Sequence, residues 1–321
     1  MNGMRAAIPL LILAAVCSAP VLATSYYLYL TELAMINIII AAGLNLLSGN
    51  CGLISLCNAS FMAAGAYGTV LLVNQGISWF AAMPAAAFLT FLLGAVVGFP
   101  ARRLSGLYLA LVTLGFLELV QIAIEESPDF TGGIRGLKVA RPEVFGIPFH
   151  SETAIYLLVV TLAAAAILAA WNIQNSRFGR AFDAVRQSQF AAQALGIPVA
   201  RVKLLAFAIN AAFAGCAGGL FAVVAGFIDP TEFGVLESLK HITFIVVGGL
   251  GSVVGSIIGA VLLTVLPEAL RGTQEYSELI YGLILLGSLM FMPRGLVGLL
   301  EKLPNWKLSE RARKETVHGA P

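Results

Sequence analysis

The segment NSRFGRAFDAVRQSQFAAQALGIPVARVK, residues 175–203, interrupts a chain of 321 residues that is otherwise mostly apolar. Its single acid, Asp183, is outnumbered by five basic residues. These are Arg177, Arg180, Arg186, Arg201 and Lys203. The apolar runs on both sides are long enough to cross a bilayer, and basic residues accumulate in the cytoplasmic loops of membrane proteins. The sequence therefore predicts a cytoplasmic loop over residues 173–203.

A short exposed helix is predicted inside this loop, over residues 188–198. Ser188 is a typical helix cap, strong helix formers follow it, and Gly196 and Pro198 are residue types that end helices. A short helix held at a membrane surface can dock a partner protein. The charge pattern alone is equally consistent with a loop that only fixes the topology of the chain.

The composition indicates a membrane protein. Hydrophobic residues make up 59% of the chain and charged residues only 11%, whereas a soluble domain carries roughly a quarter charged residues. We expect an all-α fold, a polytopic integral membrane helical bundle of about 8–10 transmembrane segments with at least one broken or re-entrant helix. Residues 1–300 would form this transmembrane domain and residues 301–321 a basic cytoplasmic tail.

Several classes of function are disfavoured by the same sequence. The net charge of +2 is too small to indicate a nucleic-acid partner. The four cysteines lie in apolar surroundings without CxxC spacing, so neither a metal site nor a disulfide framework is indicated. The sequence contains no GxxxxGK phosphate loop, HExxH motif or nucleophile elbow, so no catalytic residues are expected.

The number of crossings constrains the C-terminal half. Residues 6–23 form a first apolar run, either a retained helix, which we favour, or a signal peptide. If residues 241–266 crossed the membrane once, the last run, 278–292, would leave the basic tail outside, against the positive-inside rule. Splitting that segment near residues 248–252 into two short halves returns the tail to the cytoplasm. Such a turn would have to be buried in the bundle.

Polar residues inside the apolar runs are candidates for a translocation path, because polar groups are costly in lipid. The candidates, together with three glycines at the expected split, are Asn45, Ser55, Asn58, Glu118, Gly248, Gly249 and Gly251. For Asn45, and for Asn37 in the same run, hydrogen bonding between helices is an equally good interpretation. Glu118 shares a helix face with Gln121, but its place near the end of its run would also let it reach the membrane surface.

Small residues mark two segments for close packing. Residues 49–68 are unusually rich in Gly, Ala, Ser and Asn for a membrane-spanning segment, which favours irregular helix lining a cavity. Gly251, Gly255 and Gly259 recur every four residues, and their favoured interpretation is a bare helix face that packs against another helix.

Patches along residues 45–298, in the same order, resemble the branched-chain amino-acid permease family of ABC importers. The similar motifs are GxxSxxxAxFxxxGAY (52–67), YLALVTLGFLE (108–118), TGGIRG (131–136), AAQALGIP (191–198) with RVK (201–203), GGLGS (248–252) with LPEALR (266–271), and PRG (293–295). One departure is Cys57-Asn58, where Gly-His is usual, so a role specific to that His does not carry over.

The resemblance implies that the loop carries a coupling helix that fits a cleft on an ATPase subunit. The residues assigned to this coupling are Arg180, Ser188, Phe190, Ala191, Ala194, Leu195, Gly196 and Pro198. The implied partners are a second homologous permease subunit, two ATPase subunits, a periplasmic solute-binding protein and membrane lipid. ATP would be bound by the ATPase subunits, with no cofactor in this chain. The implied location is the bacterial inner membrane, with both termini in the cytoplasm.

The expected function is that of a permease subunit of an ABC importer for branched-chain or related amino acids. Because the family also includes urea permeases, an importer of urea or another small polar solute is the alternative. A stand-alone secondary carrier or channel belongs to a different class. It would be expected to use intramembrane carboxylates, for which Glu32 and Glu118 are the candidates.

Overall fold

The computed structural model describes residues 25–104, 106–139 and 152–269, and short pieces at 143–144, 147–148, 282–283, 287 and 295–300. The apolar run at 6–23 and the tail at 301–321 lie outside the described residues, and so does most of the last run at 278–292.

The described chain is almost entirely helical. Its α-helices are α1 (Ser25–Leu44), α2 (Asn58–Asn74), α3 (Trp79–Ala101), α4 (Leu107–Glu125), α5 (Pro128–Thr131), α6 (Glu152–Asn175), α7 (Arg177–Gln187), α8 (Gln189–Ala194), α9 (Val199–Ala225), α10 (Val235–Gly248), α11 (Val253–Ala269) and α12 (Gly295–Leu300). A π-helix, Asn45–Asn50, continues α1, and 3₁₀ turns occupy Gly133–Arg135 and Pro230–Phe233. Two-residue strands pair antiparallel, β1 (Leu137–Lys138) with β4 (Phe227–Ile228) and β2 (Glu143–Val144) with β3 (Ile147–Pro148).

Five helical stretches of the described residues are long and apolar enough to cross a membrane. They are Ser25–Asn50, Trp79–Pro100, Leu107–Glu125, Glu152–Asn175 and Val199–Ala225. A further apolar helix, Val253–Pro267, is shorter. These stretches confirm the prediction of a polytopic helical membrane protein.

The centre of the bundle is formed by α1 and α9. In the most apolar part of each of these two helices, 72% and 67% of the residues are buried, whereas the corresponding share in α3, α4 and α6 is 28–33%. Glycines allow the close approach of neighbouring helices to α9. A Cβ on Gly65 of α2 would lie 2.5 Å from the carbonyl carbon of Gly215, and one on Gly94 of α3 would lie 2.8 Å from the carbonyl oxygen of Phe207. Bare helix faces therefore set the packing distances here.

The two ends of the bundle differ in charge. Lys203, in the first turns of α9, donates to the carbonyl of Leu104, so the loop at 173–203 lies beside Arg102 and Arg103. We call this the basic end. Pairing of β1 with β4 brings the segment after α4 to the opposite end of α9, where residues 226–240 also lie. Residues 226–240 contain Asp229, Glu232 and Glu237 against a single lysine, so we call this the acidic end.

The chain breaks its helical path twice. The first break follows α1, where the π-helix Asn45–Asn50 gives way to irregular backbone before α2 begins at Asn58. The second lies between α10 and α11, where Gly249 and Gly251 have φ angles of 134° and 84°. Both values lie in the left-handed region that favours glycine. The predicted broken helix is confirmed, and its turn falls within the expected residues 248–252.

The second break folds α10 and α11 into an antiparallel hairpin. A Cβ on Gly259 would lie 3.0 Å from the Cα of Gly248, and Gly248 and Gly255 also meet backbone to backbone. The prediction that Gly251, Gly255 and Gly259 form one face of a single helix is therefore corrected. Gly251 lies in the turn, and the bare surface is made by Gly255 and Gly259 against Gly248 of the facing helix.

The helix α10 begins at Val235, within the stretch 226–240. Gly234 is in extended conformation and precedes the helix, and Glu237 lies in its first turn. A carboxylate is favourable there because it faces the positive end of the helix dipole.

Candidate coupling site and its connection to the bundle

The short helix predicted in the basic loop is α8. The hydroxyl oxygen of Ser188 accepts from the backbone N–H of Ala191 at 3.2 Å and so caps the helix. Leu195 follows the last helical residue, and Gly196 then turns the chain with a φ of 81°. Pro198 directly precedes α9. The predicted cap, helix and glycine stop are thus confirmed, and the helix proper is confined to Gln189–Ala194.

Large apolar side chains on and just after α8 face away from the bundle. Phe190 is 87% exposed and Leu195 is 79% exposed. Ala191 and Ala194 are exposed as well, whereas Ala192 is buried against the bundle. Two large apolar groups presented this fully beside small alanines form a surface suited to a partner protein.

The helix α7, which was not predicted, precedes this surface. Ser176 caps it by accepting from the N–H of Phe178 at 3.0 Å. Gly179, Phe182 and Val185 are its buried residues, spaced three apart. This spacing after a capping Ser was the signal that could have revealed the helix. Arg180, assigned to coupling, lies on the exposed side of α7 and donates to the carbonyl of Asn175 at 3.4 Å.

Polar side chains tie α7 to the first break of the bundle. Arg186 donates a charge-assisted hydrogen bond to the backbone carbonyl of Gly49. Asp183 accepts from the side-chain amide of Asn50 at 3.2 Å. Gly49 and Asn50 are the last two residues of the π-helix, so a movement of α7 would act directly on the point where α1 ends.

A second set of bonds ties the first break to the turn of the hairpin. The side-chain oxygen of Asn45 accepts from the N–H of Gly251 at 2.7 Å. Its amide donates to the carbonyl of Ser252 and the hydroxyl of Ser256, both at 2.7 Å. Gln174, at the end of α6, donates to the carbonyl of Gly251 at 2.6 Å. Backbone groups of Gly49, Gly251 and Ser252 at the two breaks are therefore hydrogen-bonded to side chains inside the protein.

We call this meeting point the junction. Its members are Asn45, Gly49, Asn50, Gln174, Asp183, Arg186 and Gly251. It connects the loop that carries α8 with both irregular segments of the bundle. No sequence spacing indicated it, because its members lie far apart in the chain and meet only after folding.

Two other predicted path residues are fully buried, and one of them, Asn58, forms a cluster with Asn210 and His241. Asn58 is fully buried, accepts from the amide of Asn210 at 2.9 Å and lies 3.4 Å from Nδ1 of His241. Ser55 is also fully buried, with its hydroxyl 3.3 Å from the Cys57 sulfur. Asn210 was missed, although a single amide within the apolar run of α9 is the costly kind of residue that should have drawn notice.

The remaining polar candidates divide between exposed and interior positions. Glu118 is exposed on α4, away from the junction, while its neighbour Gln121 is half-buried and donates to Glu125 at 3.3 Å. Glu32 is buried, and Asn37 donates to Thr264 of α11 at 2.9 Å. Asn37 and Asn45 thus both make the interhelical hydrogen bonds considered for them. A direct role of any predicted path residue in translocation stays a prediction.

Comparisons with known proteins agree on one family. The profile of the family described as "Branched-chain amino acid transport system / permease component" matches residues 26–289. The high-affinity branched-chain amino acid transport system permease protein LivM of Escherichia coli K12 is 35% identical over 312 residues, covering 89% of this chain and 72% of the relative.

Two further relatives are similar over most of the chain. LivM of Salmonella typhimurium is 35% identical, covering 84% of this chain and 69% of the relative. The autoinducer 2 import system permease protein LsrC of Salmonella paratyphi B is 31% identical, covering 74% of this chain and 69% of the relative.

Proposed function

The chain belongs to the branched-chain amino acid permease family and is a permease subunit of an ABC importer, and we propose that it moves leucine, isoleucine, valine or related amino acids inward. Both LivM relatives carry that substrate class in their names. The relative named for autoinducer 2 import shows that similar chains serve other solutes. Uptake measurements therefore have to compare these solutes.

The complete importer comprises this chain, a second homologous permease, two ATPase subunits and a periplasmic solute-binding protein. ATP is bound and hydrolysed by the ATPase subunits, and this chain is not itself an enzyme. The sequence supports this division, because it contains no phosphate-binding loop of the GxxxxGK type.

The observation that carries the proposal is the surface formed by α8. Phe190 and Leu195 are almost fully exposed, and the helix is fixed at both ends by the Ser188 cap and the turn at Gly196. A cleft on an ATPase subunit that covers this surface would bury only a few hundred Å², far below a standard interface. Such a small contact depends on a few anchoring side chains.

The basic end faces the cytoplasm and the acidic end faces the periplasm. The five basic residues of the loop at 173–203, with Arg102 and Arg103 beside them, support this orientation. The antiparallel hairpin of α10 and α11 supports it too. Both outer ends of the hairpin then point to the periplasm, so that the last run, 278–292, crosses back and leaves the basic tail in the cytoplasm. Both termini of the chain are cytoplasmic in this arrangement.

Cysteine labelling from outside the cell tests the orientation. We expect a cysteine replacing Gly272, just after α11, to react with a membrane-impermeant thiol reagent. A cysteine replacing Ser309, in the basic tail, should be protected until the membrane is permeabilised. Labelling of the tail position in intact cells would contradict the orientation.

Transport by the reconstituted importer tests the function. The chain is placed in proteoliposomes with its partner subunits and a loaded binding protein, and uptake of radiolabelled leucine, urea and autoinducer 2 is followed with and without ATP. We expect ATP-dependent uptake of leucine. Uptake that is independent of ATP would favour the stand-alone carrier or channel, and preference for another solute would correct the substrate.

A paired substitution tests the surface on α8. Replacing Phe190 and Leu195 together with Ser should lower both uptake and co-purification of the ATPase subunits. The matched control replaces Phe130 and Ile134 with Ser, since these are 71% and 78% exposed at the acidic end. The control should retain ATPase co-purification. Full co-purification of the ATPase subunits with the first variant would remove α8 from the proposed interface.

A further inference from the structure

A cavity of about 600 Å³ opens at the acidic end, between α1, α2, α4, α9, α10 and the 3₁₀ turn at Pro230–Phe233. Its charged lining residues are Glu232, Glu237 and Lys240. We call it the outer cavity. It lies at the opposite end of the bundle from the junction and from α8, so neither of those sites accounts for it.

The outer cavity is lined by both a lysine ammonium group and carboxylates. Lys240 donates to Glu237 at 2.9 Å and its side chain is 40% exposed, so an ammonium with three donors keeps bonding capacity for a ligand. One carboxyl oxygen of Glu232 is buried and has no hydrogen-bond partner among the described residues. Burial, followed by the charge of nearby Asp229, raises the pKa of Glu232 to about 7. A ligand ammonium would supply the missing partner and favour the charged form.

Apolar side chains form about half of the rest of the lining, and Asn37, Gln121 and Thr231 add neutral polar groups. Leu33, Met62, Phe221, Val235 and Leu236 provide aliphatic and aromatic surface beside the charged groups. This combination matches one class of small solute, a zwitterion with an aliphatic side chain. Urea, which carries neither charge nor aliphatic chain, would leave both the lysine and the apolar wall unused.

A buried histidine adds an independent sign that the charged wall of the cavity is incompletely paired. His241 is fully buried, and its Nε2 has no hydrogen-bond partner among the described residues. That nitrogen lies 3.5 Å from Glu237, whose other carboxyl oxygen contacts Lys240. Its Nδ1 lies beside Asn58. His241 therefore connects the Glu237–Lys240 pair with the buried cluster of Asn58 and Asn210, so a change in the pair would alter the contacts of that cluster.

We propose that the outer cavity holds the amino acid released by the binding protein, with Lys240 contacting the α-carboxylate and Glu232 and Glu237 contacting the α-ammonium. The aliphatic side chain rests against the apolar wall. This inference rests on the proposed function, since it takes an aliphatic amino acid as the transported solute.

Protection of a cysteine from labelling tests the cavity directly. Leu236 lines the cavity and is 54% exposed, so Leu236→Cys gives a reporter in the full importer without ATP. The probes are leucine and leucinol, which lacks the carboxylate, and the wild-type chain gives the background from native cysteines. We expect leucine to slow labelling at least threefold and leucinol to have no effect. Equal protection by both probes would overturn the assignment of Lys240.

Substitution of the lysine supplies a second readout. Lys240→Met should abolish protection by leucine and reduce leucine uptake about tenfold, the size expected for one charge-assisted hydrogen bond. Lys240→Arg should preserve most of both. ATPase activity stimulated by the binding protein should persist in both variants. The matched control is Lys138→Met, which removes the same charge from the same end but outside the outer cavity, and it should behave as wild type.

The outcomes separate the two proposals. Absence of leucine uptake by the wild-type importer would overturn the proposed function. Normal wild-type uptake, with no protection of Leu236→Cys by leucine, would overturn the outer cavity alone. Normal uptake by Lys240→Met would overturn it as well.

Discussion

The two helices of the basic loop, α7 and α8, differ in the direction that their side chains face. Ser188 is the only residue between them; its N–H closes the last turn of α7 and its hydroxyl caps α8. Yet α7 packs Phe182 and Val185 into the bundle, whereas α8 presents Phe190 and Leu195 to its surroundings. One helix is held by the bundle, and the other leaves its large apolar side chains exposed.

In the proposed coupling, this difference separates docking of the partner from transmission of its movement. An ATPase subunit could bind α8 without touching the bundle, because Ala192 is the buried residue of α8. The movement would then reach the bundle through α7, whose Asp183 and Arg186 bond to the end of the π-helix. Damage to α8 should therefore prevent docking, and damage to α7 should preserve docking but weaken its effect on transport.

The largest effect is expected from Gly196→Asp. Gly196 has a φ of 81°. Among the described residues, no atom beyond Gly196 and its two chain neighbours lies within 4 Å of the place that a Cβ would take, so the new side chain costs backbone strain without a clash. The chain should insert and pair with its fellow permease at normal levels. The acidic side chain would stand where the ATPase subunit approaches, so uptake should be abolished and ATPase co-purification weakened.

The control for this variant is Gly106→Asp. Gly106 also has a positive φ, 58°, with open space around it, and it precedes α4 near the basic end. The same substitution there should leave uptake largely intact. Membrane abundance, ATPase co-purification and uptake are measured in the same cells. A fall in abundance would assign Gly196 to local folding, and normal uptake would remove α8 from the mechanism.

An intermediate effect is expected from Arg186→Gln. This change removes the charged donor to the Gly49 carbonyl but leaves α8 untouched. The ATPase subunits should co-purify at normal levels, while uptake falls about tenfold at an undiminished rate of ATP hydrolysis. Arg201→Gln is the control, since Arg201 is an exposed residue of the same loop outside the junction. Equal loss in both variants would indicate a general effect of loop charge.

The smallest effect on transport, and a measurable one on stability, is expected from Asn45→Ala. It leaves the N–H of Gly251 without its partner and removes one donor from the Ser252 carbonyl, which keeps the Ser256 N–H, and one from the Ser256 hydroxyl; the loss costs on the order of 2 kcal/mol of stability. The comparison is Asn37→Ala, which loses one interhelical bond to Thr264 and should cost about 0.6 kcal/mol. Thermal unfolding of the purified complex measures both. Similar losses would mean that the turn at Gly251 does not depend on Asn45.

Sequence reasoning succeeded where the signal is local. The cap at Ser188, the stop at Gly196 and the turn at residues 248–252 each follow from residue types within a few positions. Their conformations are set by the backbone chemistry of serine and glycine, which neighbouring helices do not override.

It failed where structure depends on contacts between distant segments. Asn45 and Gly251 are 206 residues apart, and Arg186 and Gly49 are 137 residues apart, so no periodicity connects them. Gly251 also shows the limit of pattern reading. Its spacing from Gly255 suggests one helix face, but two glycines, Gly249 and Gly251, form the turn instead, and the helix starts only at Val253.

The length of the hairpin determines how far a solute must travel through protein. With 14 residues, α10 is about 21 Å long, whereas the hydrocarbon layer of a bilayer is about 30 Å thick. A helix of this length covers only about two-thirds of that layer. With the basic end in the cytoplasm, as proposed, and the turn of the hairpin at that end, periplasmic water would fill the depression left beyond the outer end of α10. A released solute would thus lose its hydration only over the remaining two-thirds, which lowers the dielectric barrier to its passage.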